Sequence, residues 1–254
     1  MGELDQFGQP DDDAEVVVVA GDPLFSGVVP TDQTFKFSDV QLLAPVIPRS
    51  KIVGIAHNNA AHAKEVGAWK HDNIHFFLKP NTAVIGPDDT IRYPDDIGDI
   101  DYEPELAVVI GRICKDVPVE LAKDVIFGLT IANDVTAREL SRVQDSGHFA
   151  RAKGFDTFAP LGPWIETDFD VDAVRNGLKI STYLNGDQVQ SGTTADLIWH
   201  IPEVIAHVSH VMTLLPGDVI LTGSSAGVGP MAPGDEVEIS IEGLGNLTNK
   251  VALR

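Results

Sequence analysis

The chain has 254 residues, 43% hydrophobic and 22% charged, enough to bury a core in one large domain or in a large domain with a small appendage. Its 18 lysines and arginines face 38 aspartates and glutamates, for a formal net charge of −20. A field of that sign repels nucleic acid and anionic membranes, so neither is an expected partner; an anionic substrate would need a local patch of cations, most simply a bound divalent ion.

Cys114 is the single cysteine, so no internal disulfide is expected. Met1 to Asp13 is polar and acidic, without the basic and apolar regions of a secretion signal, and reads as disordered. No stretch approaches the roughly 20 apolar residues of a membrane helix. The expected location is cytoplasmic, and Asn246-Leu247-Thr248 is then a chance match to a glycosylation acceptor.

Glu15 to Ala20 is a β-branched run, hence a strand, and Gly21-Asp22-Pro23 is a turn. Pro45 and Pro48 break the apolar positions between Phe35 and Ile47. They divide a small N-terminal β region, residues 1–48, from a main domain, residues 49–254. The main domain opens with a strand at Lys51 to Ile55. A short helix follows over Asn59 to Val66, capped by Asn58 or Asn59 and closed by Gly67. Strands are expected at His75–Leu78, Ala83–Ile85, Glu105–Ile113 and Leu129–Ala132, and a helix at Val119–Phe127 between Pro118 and Gly128. Leu178–Leu184, Asn185-Gly186 and Gln188–Gln190 read as a hairpin, because Asn-Gly suits a type I′ turn. Ile201 to Leu215 carries the apolar spacing of an amphipathic helix with Pro202 in its first turn. Pro216-Gly217-Asp218 and Pro233-Gly234-Asp235 are turns before the strands Val219–Thr222 and Glu236–Ile241. There is no strict strand–helix alternation, so the expected class is α+β and β-rich rather than doubly wound.

Five constellations carry chemistry. Glu103 and Glu105 flank Pro104 at the entrance of an apolar run, and their spacing of two puts both on the face continued by Ala107 and Val109. They are either surface acids at a solvated strand end or a pair that needs a hard cation with oxygen ligands, Mg²⁺ or Mn²⁺. Pro104 points to a strand edge or a bulge there. Asp134 follows another buried strand, with a helical turn expected from Thr136. It is either an N-terminal cap or a third oxygen ligand. Lys153 lies between small residues in Arg151-Ala152-Lys153-Gly154, a loop lysine unless the fold gathers it. The small-residue loop Leu221 to Gly229 has amides and hydroxyls able to cradle a carboxylate. His62 and Glu65, three apart on the short helix, share a face and could act together as a base. No G-x-S-x-G elbow is present, which disfavours a serine hydrolase.

In this order the segments resemble the fumarylacetoacetate hydrolase family. The matching pieces are Asn59-Ala60-Ala61-His62-Ala63-Lys64-Glu65, Phe77-Leu78-Lys79-Pro80, Glu103-Pro104-Glu105-Leu106, Asn133 to Glu139, Ala152 to Asp156, the Asn185-Gly186 hairpin with Gln190 to Thr194, and Leu221 to Gly229. They cover roughly residues 50–254. The resemblance implies a mixed β-roll, usually dimeric, with a bound Mg²⁺ or Mn²⁺. It implies Glu103, Glu105 and Asp134 as metal ligands and Lys153 as the active-site lysine. His62 and Glu65 would be a dyad on a lid helix, with Lys79 and Arg138 as substrate-side cations and Gly223 and Ser224 as carboxylate contacts. The N-terminal region resembles the β module of some bacterial members. Three positions depart from the pattern: Ser141 where glutamine is common, Thr222-Gly223-Ser224-Ser225 where the loop usually reads T-G-T-P, and Asn59, Ala60 and Ala61 in place of a tyrosine and an aspartate.

The implied chemistry is cleavage beside a 2-oxo-carboxylate, the small-molecule partner, with Lewis-acid stabilisation of the enolate left when a bond at C3 breaks. Loss of CO₂ makes it an oxaloacetate decarboxylase. Loss of an acyl group makes it an acylpyruvate hydrolase in which His62 and Glu65 activate water. Movement of a proton along a diene makes it an isomerase of the hydroxyheptadienedioate type. The non-enzymatic alternative is a cation-binding structural module.

Overall fold

The structure, a computed structural model, describes residues 8, 10–65, 72–141 and 149–254. Its backbone is strand-rich, with a curled mixed sheet at the centre, the α+β roll expected. Seven strands run in the order His75–Lys79, Ile52–Ala56, Val219–Leu221, Pro104–Ile110, Ile126–Asn133, Ala159–Glu166 and Val84–Ile85. The pairs 219–221 with 52–56 and 159–166 with 84–85 are parallel and the others antiparallel. A five-stranded sheet of residues 187–193, 179–184, 236–241, 245–253 and 90–93 packs against it. A small three-stranded sheet joins Ile100–Tyr102 to Thr136–Ala137 and Gly229–Met231.

Pro104–Ile110 is buried at every position because both its faces are covered. Leu106, Val108 and Ile110 pack with Val204, Ile205 and Val208 of the helix Ile201–Val211 and with Ile239 and Leu247 of the five-stranded sheet. Ala107 and Val109 face the other way, onto Ile52, Ala132, Leu161 and Leu221. Glu105 and Glu103 continue this second face, so the apolar alternation that fixes the strand also fixes where the acids point.

Several expectations need correction. Pro104 lies at neither an edge nor a bulge: its strand is central, and proline is accommodated as the first residue, opposite Asn133. Asp134 caps no helix, since Thr136–Ala137 is a short strand and the helix begins at Arg138. Gly128 does not end a helix. The 3₁₀ segment Val119–Val125 gives way to strand at Ile126, and Gly128 lies inside that strand. There a Cβ would come 2.4 Å from Ile165 Cγ2 and 2.5 Å from the Glu166 carbonyl oxygen. Gly128→Ala is therefore expected to destabilise the fold by about 1–3 kcal/mol, read as a lower melting temperature. The amphipathic helix stops at Val211 because Leu214 turns to pair its backbone with Cys114, so the apolar spacing to Leu215 outlasts the helix.

The short helix spans Ala60–Glu65, with the Asn59 Oδ1 accepting from the amides of Ala61 and His62 as its cap. Its expected close at Gly67 lies outside the described residues. Glu15–Val19 and Pro30–Lys36 pair as a separate two-stranded sheet. Of the first 13 residues, Asp12 and Asp13 are tied down, the Asp12 carbonyl by the Ser38 amide and Asp13 by Lys36 at 2.8 Å. Most of the stretch expected to be disordered, residues 1–7 and 9, lies outside the described residues. Leu24 and Val46 pack on the second core face, and Phe37 meets Trp164 edge-on at 6.4 Å.

Candidate metal centre

Glu103, just before the central strand Pro104–Ile110, and Asp134, just after its neighbour Ile126–Asn133, are held side by side. The Glu103 amide donates to Asn133 Oδ1 at 2.9 Å, and the Asp134 amide donates to the Glu103 carbonyl at 2.9 Å. This brings the ends of both strands together, and with them their carboxylates. One oxygen each of Glu103, Glu105 and Asp134 lies within 4.8 Å of the other two, and all three residues are buried. The surface-acid reading of this pair does not survive their burial.

Among the described residues three cations surround the cluster. Lys153 is buried and donates to Glu103 Oε2 and Thr136 Oγ1, each at 2.8 Å, and to Asp134 Oδ2. Arg138 spans Asp101 Oδ2, at 2.6 Å, and Glu103 Oε1. Lys79 has a fully buried side chain, 2.6 Å from Asp134 Oδ1 and 3.3 Å from the Val135 carbonyl. Glu105 stands apart: its hydrogen bond comes from the Gly223 amide. Burial opposes ionisation of Glu103, yet Lys153 and Arg138 outweigh it and hold that carboxyl well below the usual range. Burial, then the Asp134 and Glu103 charges, push Glu105 well above it. Burial works against the Lys153 charge too, but Asp134 and Glu103 more than offset that and raise its pKa. At Lys79 burial prevails and its pKa is lowered.

The charge inventory decides what the site can hold. Among the described residues four carboxylates, Asp101, Glu103, Glu105 and Asp134, meet three cations, and the shortfall falls on Glu105. A buried carboxylate without a cation is costly, by several kcal/mol when charged. An oxygen-only donor set with one unmatched acid fits a hard divalent ion, and that ion would leave the centre with one positive charge, suited to an anionic substrate.

A cleft with an empty volume of ≈ 360 Å³ opens onto the cluster. It is lined by the charged residues Glu103, Glu105, Asp134, Arg138 and Lys153, by His62 and Ser224, and by the apolar Ile55, Phe77 and Phe149. The Phe77 and Phe149 rings lie 5.3 Å apart, and the Lys153 ammonium sits 4.9 Å from the Phe77 centroid. His62 Nδ1 is 3.2 Å from Glu65 Oε2. The Gly227 amide donates to both Glu65 oxygens, at 3.0 and 3.1 Å.

The structure thus brings together His62, Glu65, Lys153, Arg138, Ser224 and the three acids. Lys79 stands behind Asp134 and does not line the cleft, so the substrate-side place expected of it is not where the fold puts it. The Gly223 amide is turned to Glu105 rather than outward, so the loop cradles the protein's own carboxylates. The Ser141 hydroxyl donates back to the Arg138 carbonyl at 2.8 Å. Sequence reasoning missed Asp101, although the alternation Asp101, Glu103, Glu105 was available to find it. It also missed Asn58, whose amide joins the Trp199 and Thr222 carbonyls, at 2.8 and 2.7 Å, beneath the short helix. Phe149 had no local signal at all.

Comparison with known proteins identifies the family. Residues 51–252 match the model of the fumarylacetoacetate (FAA) hydrolase C-terminal domain, and residues 2–45 match the Rv2993c-like N-terminal domain. The human mitochondrial protein named oxaloacetate tautomerase FAHD2A is 38% identical over 221 residues, 84% of this chain and 70% of that one. The crystal structure of 5-carboxymethyl-2-hydroxymuconate delta-isomerase from Mycobacterium smegmatis is 44% identical, with a TM-score of 0.86 over 96% of this chain and 92% of that one. Maleylpyruvate hydrolase from Sphingobium sp. SYK-6, in complex with manganese(II) and pyruvate, is 37% identical, with a TM-score of 0.73 over 87% of this chain and 77% of that one. A family model matched over residues 51–252, on a curled mixed sheet that gathers a buried Glu-Glu-Asp cluster, leads to one conclusion: the chain belongs to the fumarylacetoacetate hydrolase family.

Proposed function

We propose that the protein is a metal-dependent enzyme cleaving a carbon–carbon bond beside a 2-oxo-carboxylate, of the oxaloacetate decarboxylase or acylpyruvate hydrolase type. Glu103, Glu105 and Asp134 would hold Mg²⁺ or Mn²⁺. The observation that supports this reading is the gathering of three buried carboxylates in one cleft that His62, paired with Glu65, also lines.

A divalent ion, when bound, supplies Lewis-acid stabilisation of the negative charge that develops on the 2-oxo group. The protein's groups supply the rest. Lys153 and Arg138 hold the carboxylates in place and keep positive charge beside the substrate's own carboxylate. The apolar wall of Ile55, Phe77 and Phe149 takes the acyl part and excludes water from it. Because Glu65 faces Nδ1, His62 carries its proton there and presents Nε2 as the basic nitrogen. In hydrolysis Nε2 takes a proton from water, and the hydroxide adds to the distal carbonyl. The bond from that carbon to C3 breaks, its electron pair passing to C3 and the 2-oxo group. His62 returns the proton to C3, giving a carboxylic acid and pyruvate. In decarboxylation CO₂ leaves C3, its bonding pair passing to C3 and the 2-oxo group, and C3 then takes a proton from solvent to give pyruvate, so no water need be activated as a nucleophile.

The isomerase among the structural neighbours and the tautomerase among the relatives favour a second reading, in which His62 only moves a proton on the same 2-oxo-acid skeleton. The test is incubation with oxaloacetate and with acetylpyruvate, with and without Mn²⁺ and a chelator, following loss of enol absorbance and formation of products. Metal-dependent cleavage of either supports the first reading. Conversion without bond cleavage supports the second, and no metal-dependent change on any 2-oxo acid would end both. An independent expectation concerns stability. Mn²⁺ at about a hundredfold over its Kd should stabilise the fold by about 2.7 kcal/mol, measured as a rise in melting temperature that EDTA reverses.

A further inference from the structure

We infer that Gln190 is a positioning residue for the His62–Glu65 pair, acting through the single peptide plane between Ala226 and Gly227. The inference rests on the reading of His62 as the base. Gln190 is the one buried residue of the strand Asp187–Thr193, while the apolar Val189 beside it is 40% exposed. A buried amide next to an exposed valine inverts the usual preference and calls for a polar reason.

The reason is a complete set of bonds. Gln190 Oε1 accepts from the Thr182 hydroxyl at 3.0 Å, which fixes which way the amide faces. Nε2 then donates to the carbonyls of Ser225, at 2.7 Å, and Ala226, at 3.0 Å. In a trans peptide the carbonyl of residue 226 and the amide N–H of residue 227 point in opposite directions. Holding the Ala226 oxygen towards Gln190 therefore aims the Gly227 N–H away from it, and that N–H meets both oxygens of Glu65. Gly227 has φ +98°, and a Cβ there would lie 3.1 Å from Gln190 Cγ, so the plane is held in a conformation that a side chain would strain. Tyr102 adds a second anchor, its hydroxyl donating to the Gly227 carbonyl at 3.1 Å.

At the other end of the relay, Glu65 lies on the short helix described from Ala60 to Glu65. Its side chain is 38% exposed, so water competes for the carboxylate. The Gly227 amide opposes that competition and keeps Oε2 against His62 Nδ1. Gln190 touches neither substrate nor metal ligand in this chain of contacts; it decides whether Glu65 is pointed at His62.

The test uses the full chain loaded with Mn²⁺. Gln190→Met keeps length and bulk and deletes the three bonds. Thr182→Val, which only removes the hydroxyl that orients the amide, guards against simple misfolding. Amide hydrogen exchange is read at Gly227 and over residues 62–65, and protection there is expected to fall about tenfold in Gln190→Met, and less in Thr182→Val, with the Mn²⁺ affinity unchanged. With acetylpyruvate, kcat is expected to fall about tenfold with KM unchanged, and to fall no further when Gln190→Met is added to Glu65→Gln. Unchanged exchange in both variants would overturn the inference, with or without a known substrate. So would kcat losses of Gln190→Met and Glu65→Gln that multiply. Full hydrolysis by His62→Ala is a separate result: it removes the base itself, and the positioning role falls with it.

Discussion

Glu105→Gln is expected to abolish metal-dependent turnover of every 2-oxo acid while leaving the fold intact. The side chain keeps its shape, and its amide oxygen can still accept from the Gly223 N–H. What disappears is the one carboxylate of the cluster that, among the described residues, has no lysine or arginine hydrogen-bonded to it, and with it a charge that a bound cation would neutralise. Loss of several kcal/mol of Lewis-acid stabilisation corresponds to a rate decrease of about a thousandfold or more. The metal-free variant should melt no lower than the parent, because removing Glu105 relieves repulsion by Asp134 and Glu103. Isothermal titration with Mn²⁺ and a thermal melt without metal separate these effects. Retained Mn²⁺ binding and activity would show that the three acids do not share an ion.

The second large effect is selective. In His62→Ala, hydrolysis of acetylpyruvate is expected to fall by about 10²–10⁴-fold, the usual contribution of a positioned base, while decarboxylation of oxaloacetate is largely spared. The distinction follows from the chemistry: hydrolysis must generate hydroxide inside the cleft, whereas CO₂ departure needs only the charge on C3 to be stabilised. His62 lines the cleft and makes no hydrogen bond to any of the three acids, so its removal leaves the cluster and its cations in place. Initial rates on both substrates, with kcat and KM separated, decide the matter. Equal losses on both would mean that His62 serves binding or proton return rather than water activation.

The stretches that could be read locally were those whose pattern is set by near neighbours. Asn185-Gly186 turned the hairpin with φ +54° and +85°, because few other residues tolerate both. Asn59 capped the short helix, and the apolar run after Glu105 became a strand buried on both faces. Where local cues misled, a distant strand had intervened. Gly128 looked like a helix stop, but its missing Cβ makes room for Ile165 and Glu166. Pro104 looked like an edge residue, yet it opens the central strand.

By itself the sequence determined that Glu103 and Glu105 share a face, that His62 and Glu65 share another, and that the whole chain is too acidic to attract an anion without local help. Those facts depend only on the periods of strand and helix and on a count of charges. Tertiary structure alone decided that Lys79 would stand behind Asp134 instead of facing substrate, that Asp101 would hold Arg138, and that Gln190 would reach Glu65 through a peptide plane. Such pairings join residues up to 162 positions apart. Their physical cause is the closing of sheets around one core, which no run of neighbouring residues encodes.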